Sequence, residues 1–123
     1  CLCLLLLSVF FGAFGQGAVV VQRLKERLAQ TRDDRIRVLL LTELAANYQF
    51  FKADTALVLC REAIELAARN QFPKGQVGAL TRLGEVYRLR GEFPQALEAH
   101  FHALQLSRQA GESSEEANAL SFA

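Results

Sequence analysis

Leu44-Ala45-Ala46-Asn47-Tyr48 returns, 39 residues further along, as Leu83-Gly84-Glu85-Val86-Tyr87. The following segment repeats as well. Ala56-Leu57 matches Ala96-Leu97, and Ala63-Ile64-Glu65-Leu66 matches Ala103-Leu104-Gln105-Leu106, both at a spacing of 40. Self-similarity at a fixed period marks a stack of supersecondary units, because no single unit can bury its apolar face alone. The one-residue difference between the two spacings falls where Lys52-Ala53 faces Gly91-Glu92-Phe93, so the length change is expected in a turn.

Each unit reads as two antiparallel helices. In the first unit, helix A is expected over about residues 34–51, with Leu40, Leu41, Leu44 and Tyr48 at helical spacing. Asp54 is positioned to cap helix B, expected over residues 55–70 with Ala56, Leu57, Ala63, Ile64 and Leu66 inward. Phe72-Pro73-Lys74-Gly75 should break the chain before the second helix A, over residues 76–90. Gly91 supplies a left-handed stop, and Pro94 fits the first turn of the next helix, where its missing N–H costs nothing. That helix should end near Ala110-Gly111, and the Ser113/Glu116 spacing suits a capping box opening a third helix A. Ahead of the repeats, Val20, Val21, Leu24 and Leu28 form one apolar stripe, so residues 16–32 read as a short leading helix covering the end of the stack.

This pattern of small residues, large aliphatics and a Tyr resembles the tetratricopeptide repeat (TPR). The family places a large apolar residue three before Leu-Gly or Leu-Ala, and Tyr three after; Leu41, Leu44, Ala45, Tyr48 and Leu80, Leu83, Gly84, Tyr87 meet it. It then places small residues at the start of helix B and seven further on, met by Ala56 and Ala63, then by Ala96 and Ala103. Close helix crossing is the physical reason, since overpacking at such a position costs about 1–3 kcal/mol. The resemblance implies an all-α fold, an α-solenoid of antiparallel helix pairs with units at about 34–73 and 74–112 and a third from 113. Three features depart from the family. The period exceeds the usual ~34 residues; the bulky helix B position holds Cys60 in one unit and His100 in the other; the Pro after helix B is missing. Long units of this kind behind an apolar leader are similar to the exported sensor regions of bacterial two-component histidine kinases and related regulators.

The leader itself carries no charge before Arg23. Residues 1–15 are Leu- and Phe-rich and end in Ala13-Phe14-Gly15, as the apolar core and small-residue cleavage end of a secretory signal do. A retained membrane anchor is the alternative, since the charge-free run approaches the ~20 residues that span a bilayer. Either places the repeats outside the cytoplasm, periplasmic or membrane-anchored. With no Met, the first residue is not a translation start, and the sequence reads as part of a longer chain. Of three cysteines, Cys1 and Cys3 belong to the leader, and Cys60 is expected to be a small buried apolar residue.

Fourteen Lys and Arg against thirteen Asp and Glu leave a charge of +1, which argues against a nucleic-acid or membrane-surface binder, since either would need a clustered positive field. No catalytic, cofactor or metal constellation is expected. His100 and His102, two apart on a helix, face different ways, and Asp33-Asp34 and Glu115-Glu116 suit helix starts. Gly75 and Gly78 lack the strand and Lys-Ser/Thr of a phosphate loop. By the resemblance, binding falls to a concave groove for a protein or peptide, lined by Thr42, Glu43, Ala46, Gln49 and Phe50, then Thr81, Arg82, Glu85, Arg88 and Leu89. Membrane contact is expected only through the leader or a helix further downstream. The chain therefore reads as an extracytoplasmic protein-binding scaffold, the sensing or interaction region of a larger signalling protein. The alternative is a freestanding exported scaffold for envelope assembly.

Overall fold

A computed structural model describes the backbone of residues 17–122 and the side chains of residues 17–111. Five helices follow one another, joined by short turns: α1 over residues 17–30, α2 Asp34–Tyr48, α3 Ala53–Arg69, α4 Pro73–Leu89 and α5 Phe93–Phe122. They pack as successive antiparallel hairpins, with α3 against both α2 and α4, α5 against α4, and α2 beside α4. The leader (residues 1–15), with Cys1 and Cys3, lies outside the described residues, as do the side chains of Ser113 and Glu116.

The repeat is visible in the helix boundaries. Tyr48 ends α2, and four residues (49–52) lead to Ala53; α4 runs two residues past Tyr87, and five residues (88–92) separate that Tyr from Phe93. The length difference is thus in the turn, as the two spacings require.

Local chemistry sets each boundary. Asp33 is the N-cap of α2, its carboxylate accepting from Arg35 N at 2.9 Å and Ile36 N at 3.4 Å. Asp54 does not cap α3: the N-cap is Lys52, and Asp54 sits in the first turn, where its carboxylate takes an ion pair from Arg90 of the neighbouring hairpin. Nor does Pro73 break the chain until Gln76. It opens α4 itself, because its fixed φ and missing N–H suit the first helical position. The end of α1 is held by Arg37, which donates to Leu28 O at 3.0 Å and Thr31 O at 3.2 Å and so ties the leading helix to α2.

Two helices end in the same way. Phe72 N donates to Ala67 O and Gln71 N to Ala68 O; one unit on, Glu92 N donates to Tyr87 O and Gly91 N to Arg88 O. Both are Schellman ends, which need a left-handed residue just past the helix. Gly91 has φ 76°, but in the first unit the position falls to Gln71, at φ 50°. An L side chain there costs about 1–2 kcal/mol, partly offset by the extra unfolded-state freedom that Gly brings. Gln71→Gly should therefore raise stability by about 0.5–1 kcal/mol, read as a higher urea midpoint at unchanged slope.

The expected stop near Ala110-Gly111 is absent: α5 continues to Phe122. Gly91 is the one described glycine with positive φ, so Gly111 stays helical. A helical Gly costs only about 1 kcal/mol relative to Ala, too little to end a helix between Gln109-Ala110 and Glu115-Glu116-Ala117.

The core is continuous across units. Leu24, Leu40, Leu44, Ala45, Tyr48, Ala56, Leu57, Cys60 and Val86 form one buried cluster, with Val21, Leu28, Leu83 and Tyr87 packed on its edge. Val38, Leu41, Ala63, Ala67 and Ala79 form a second, with Ile64 and Leu66 half-buried against it. Ala96 and Ala103 are buried on α5. The small residues that the repeat places at helix crossings are thus all inside, and Leu24 of α1 is buried against the first hairpin.

Candidate functional site

Nine of the ten residues expected to line a groove lie on α2, at its C-cap, or on α4. Thr42 and Ala46 are half-buried and Glu43 is exposed; on α4, Thr81, Arg88 and Leu89 are exposed, and Arg82 and Glu85 are half-buried. Gln49, the C-cap of α2, is half-buried and accepts a long bond (3.4 Å) from Arg82 Nη1, which joins the two A helices across this face. Phe50 departs from the pattern. Since α2 stops at Tyr48, Phe50 lies in the turn, 76% exposed, at the end of the bundle and not along its face.

Much of the polar chemistry on this face is already occupied. The hydroxyl of Thr42 donates to Val38 O (2.9 Å) and that of Thr81 to Val77 O (2.8 Å), so each serves its own helix. Arg88 grips the Glu85 carboxylate through Nη2 (2.9 Å) and Nε (3.3 Å). That hydrogen bond holds the Glu85 carboxyl below its usual range, with further help from the charges of Arg88, His100 and Arg82. His100 Nε2 of α5 stands 3.7 Å from the other Glu85 oxygen. Arg82 is wedged more deeply, and its Nε is buried with no partner. Glu43 has no ion-pair partner among the described residues. What the face offers to a ligand is therefore one carboxylate on α2, an Arg–Glu pair on α4, and exposed Leu89.

Behind this face lie the residues that set the helix spacing. A Cβ on Gly84 would come within 2.6 Å of the His100 ring, so any larger residue there must displace that ring. His100 is a packing residue of that crossing. One unit earlier the same crossing pairs Ala45 with Cys60, both fully buried. Burial pushes the Cys60 thiol up to about 12, against a smaller opposing pull from Arg82 and Arg61. A raised folded-state value means that this thiol's contribution to stability is complete below pH ~9 and is lost as pH rises towards 12. Cys60 is the small apolar residue expected of it.

Helix pairs in register, with small residues at each crossing and a Tyr near the end of each helix A, are the features by which a repeat family is told. A model of the SusR N-terminal TPR domain matches residues 18–103, from the start of α1 into α5. The chain belongs to this family. Searches of curated proteins and of solved structures give no match. As a TPR domain the chain is a protein-interaction scaffold.

Some contacts of this TPR domain were not legible beforehand. Arg61 Nη2 donates to Tyr87 OH at 2.7 Å, so the second family Tyr is anchored from helix B of the preceding unit. Arg90 bridges Asp54 and Glu92 across adjacent turns. On α5, Phe93, Leu97, Phe101 and Leu104 form an exposed apolar stripe. Their spacing of four, four and three is a readable signal; only the absence of a neighbour on that side among the described residues is not.

Proposed function

We propose that this TPR domain is the extracytoplasmic interaction region of a larger signalling protein, and that it binds a protein or peptide across the shared face of α2 and α4. The observation that carries the proposal is the combination of that face, two A helices joined by Arg82 and Gln49, with membership of a family described as an N-terminal TPR domain. A domain described as N-terminal is followed by others, which suits a sensing module coupled to an output. The charge-free leader supports export, and the long units behind it support kinship with the sensor regions of histidine kinases and related regulators. Among the described residues no helix is long and apolar enough to cross a membrane.

Arg82 is a poor probe of binding, because its buried Nε makes any substitution a packing change as well. Glu43→Arg is the cleaner one: Glu43 is exposed and has no ion-pair partner among the described residues. A photo-crosslinker at Thr81, on the groove face, should capture a protein partner in cells, and Glu43→Arg should reduce that capture at least about tenfold, which is 1.4 kcal/mol. The same crosslinker at Val58, exposed on α3, should not capture it. Equal capture from both positions, or indifference to Glu43→Arg, removes the groove assignment.

A further inference from the structure

The two ends of the helix stack differ in chemistry. At one end, the turns 31–33 and 70–72 hold Thr31-Arg32-Asp33 and Asn70-Gln71-Phe72, and the lone Phe there is half-buried, with the Arg35 guanidinium 5.3 Å from its ring centre. At the other end, where α1 begins and the turns 49–52 and 90–92 lie, three phenylalanines face outward. Phe50 is 76% exposed, Phe51 63% and Phe93 64%, with Val19 and Val20 exposed on the adjoining helix. A cavity of about 750 Å³ brings Gly17, Ala18 and Val21 of α1 to Tyr48, Phe51 and Lys52. A smaller depression joins Phe51 and Lys52 to Arg90 of the next turn. Lys52 and Lys25 are the cations left over at this end, the Lys25 ammonium 5.7 Å from the Tyr48 ring centre, while Arg90 is taken up by Asp54 and Glu92.

Apolar rings beside Lys and Arg are what a protein presents to the boundary between headgroups and acyl chains, where the rings bury and the cations meet anionic lipid. The decisive observation is which end carries them. The charge-free run that precedes Arg23 enters the fold at Gly17, in the wall of this same cavity. We infer that the aromatic end of the TPR domain rests on a lipid bilayer, with Phe50, Phe51 and Phe93 in its surface and the A-helix face held upright beside it. The inference rests on the leader remaining as an anchor. A domain released by cleavage would leave three rings in water at the one end from which the chain was cut.

The chain contains no Trp, so a single introduced one reports its own surroundings. The full chain carrying Phe50→Trp or, separately, Phe51→Trp is reconstituted into vesicles of phosphatidylcholine with a minority of phosphatidylglycerol, in which the acyl chains are brominated. Lys74→Trp, exposed at the polar end, is the reference. Emission from the Trp at position 50 or 51 should be quenched several-fold more than from that at 74. If the chain co-sediments with vesicles yet all three positions are quenched alike, the inference fails and the anchor stands. If it does not co-sediment, inference and anchor fail together. A blue-shifted emission at position 50 without lipid, with the chain sedimenting as a dimer, would mean that a second copy covers this end, and overturns the inference.

Discussion

Leu57→Glu should unfold the chain in conditions where Leu97→Glu leaves it almost untouched, although the repeat places the two residues at the same position forty residues apart. Leu57 is 7% exposed and sits in the cluster with Leu44, Tyr48 and Val86, so α4 covers it. Leu97 is 72% exposed on α5, with no helix over it among the described residues. Removing a buried Leu side chain costs about 2–5 kcal/mol by itself, and a carboxyl in its place must either lose its hydration or take up a proton. A loss of at least about 3 kcal/mol is expected at Leu57. For a domain of this size that lowers Tm by roughly 10–20 °C. At Leu97 the change should stay within about 0.5 kcal/mol, as exposed sites do. Thermal unfolding of the two variants, followed by circular dichroism, decides it. Equal losses would mean that α5 is covered on its outer side; two small losses would mean that the hairpins do not pack as one core.

That contrast shows where sequence reading stops. Leu57 and Leu97 share their local pattern, and periodicity alone puts both on an inward face. What separates them is whether a further helix lies alongside, a fact about neighbours that a helix's own residues do not encode. The interior was legible for the opposite reason. Ala45, Ala56, Ala63, Gly84, Ala96 and Ala103 are small wherever two backbones cross, and all six are buried. Helix ends were read with mixed success. Gly91 and Asp33 act as their side chains, or lack of one, dictate. Asp54 and Gly111 have the right residue types but are overruled, the first by the Arg90 ion pair and the second by helix formers on both sides. Of the residues expected to line a groove, the internal commitments of Arg82, Arg88 and Glu85 were not legible, because they depend on side-chain reach, between helices for Arg82 and along α4 for the other two. Phe50 moved from the groove to the aromatic end because α2 closes two residues before it.

The same crossing is built twice with different residues, and exchanging one version for the other should rescue a variant that fails alone. In the first unit the crossing is Ala45 with Cys60; in the second it is Gly84 with His100. A larger B-helix ring is accommodated by a smaller A-helix residue, since a Cβ at 84 would lie 2.6 Å from His100 Cε1 and Nε2. Gly84→Ala by itself should cost about 1–3 kcal/mol in overpacking, reduced by the ~1 kcal/mol that Ala gains in a helix. His100→Cys by itself removes the ring, leaves space above Gly84 and gives up the 3.7 Å approach to Glu85, so it too should destabilise. Combined, the two substitutions recreate the Ala45–Cys60 pairing. The clash disappears, the space is filled, and the helix gain of Ala is kept. A double-mutant cycle by urea unfolding should therefore show a coupling of about 1–3 kcal/mol in favour of the pair. Additivity within about 0.5 kcal/mol would show that His100 swings aside at no cost, and that the two crossings are not equivalent. The outcome bears on the proposed binding face as well: Glu85 and Arg88 flank Gly84 on α4, so the crossing that sets the α4–α5 distance also sets how that ion pair is presented.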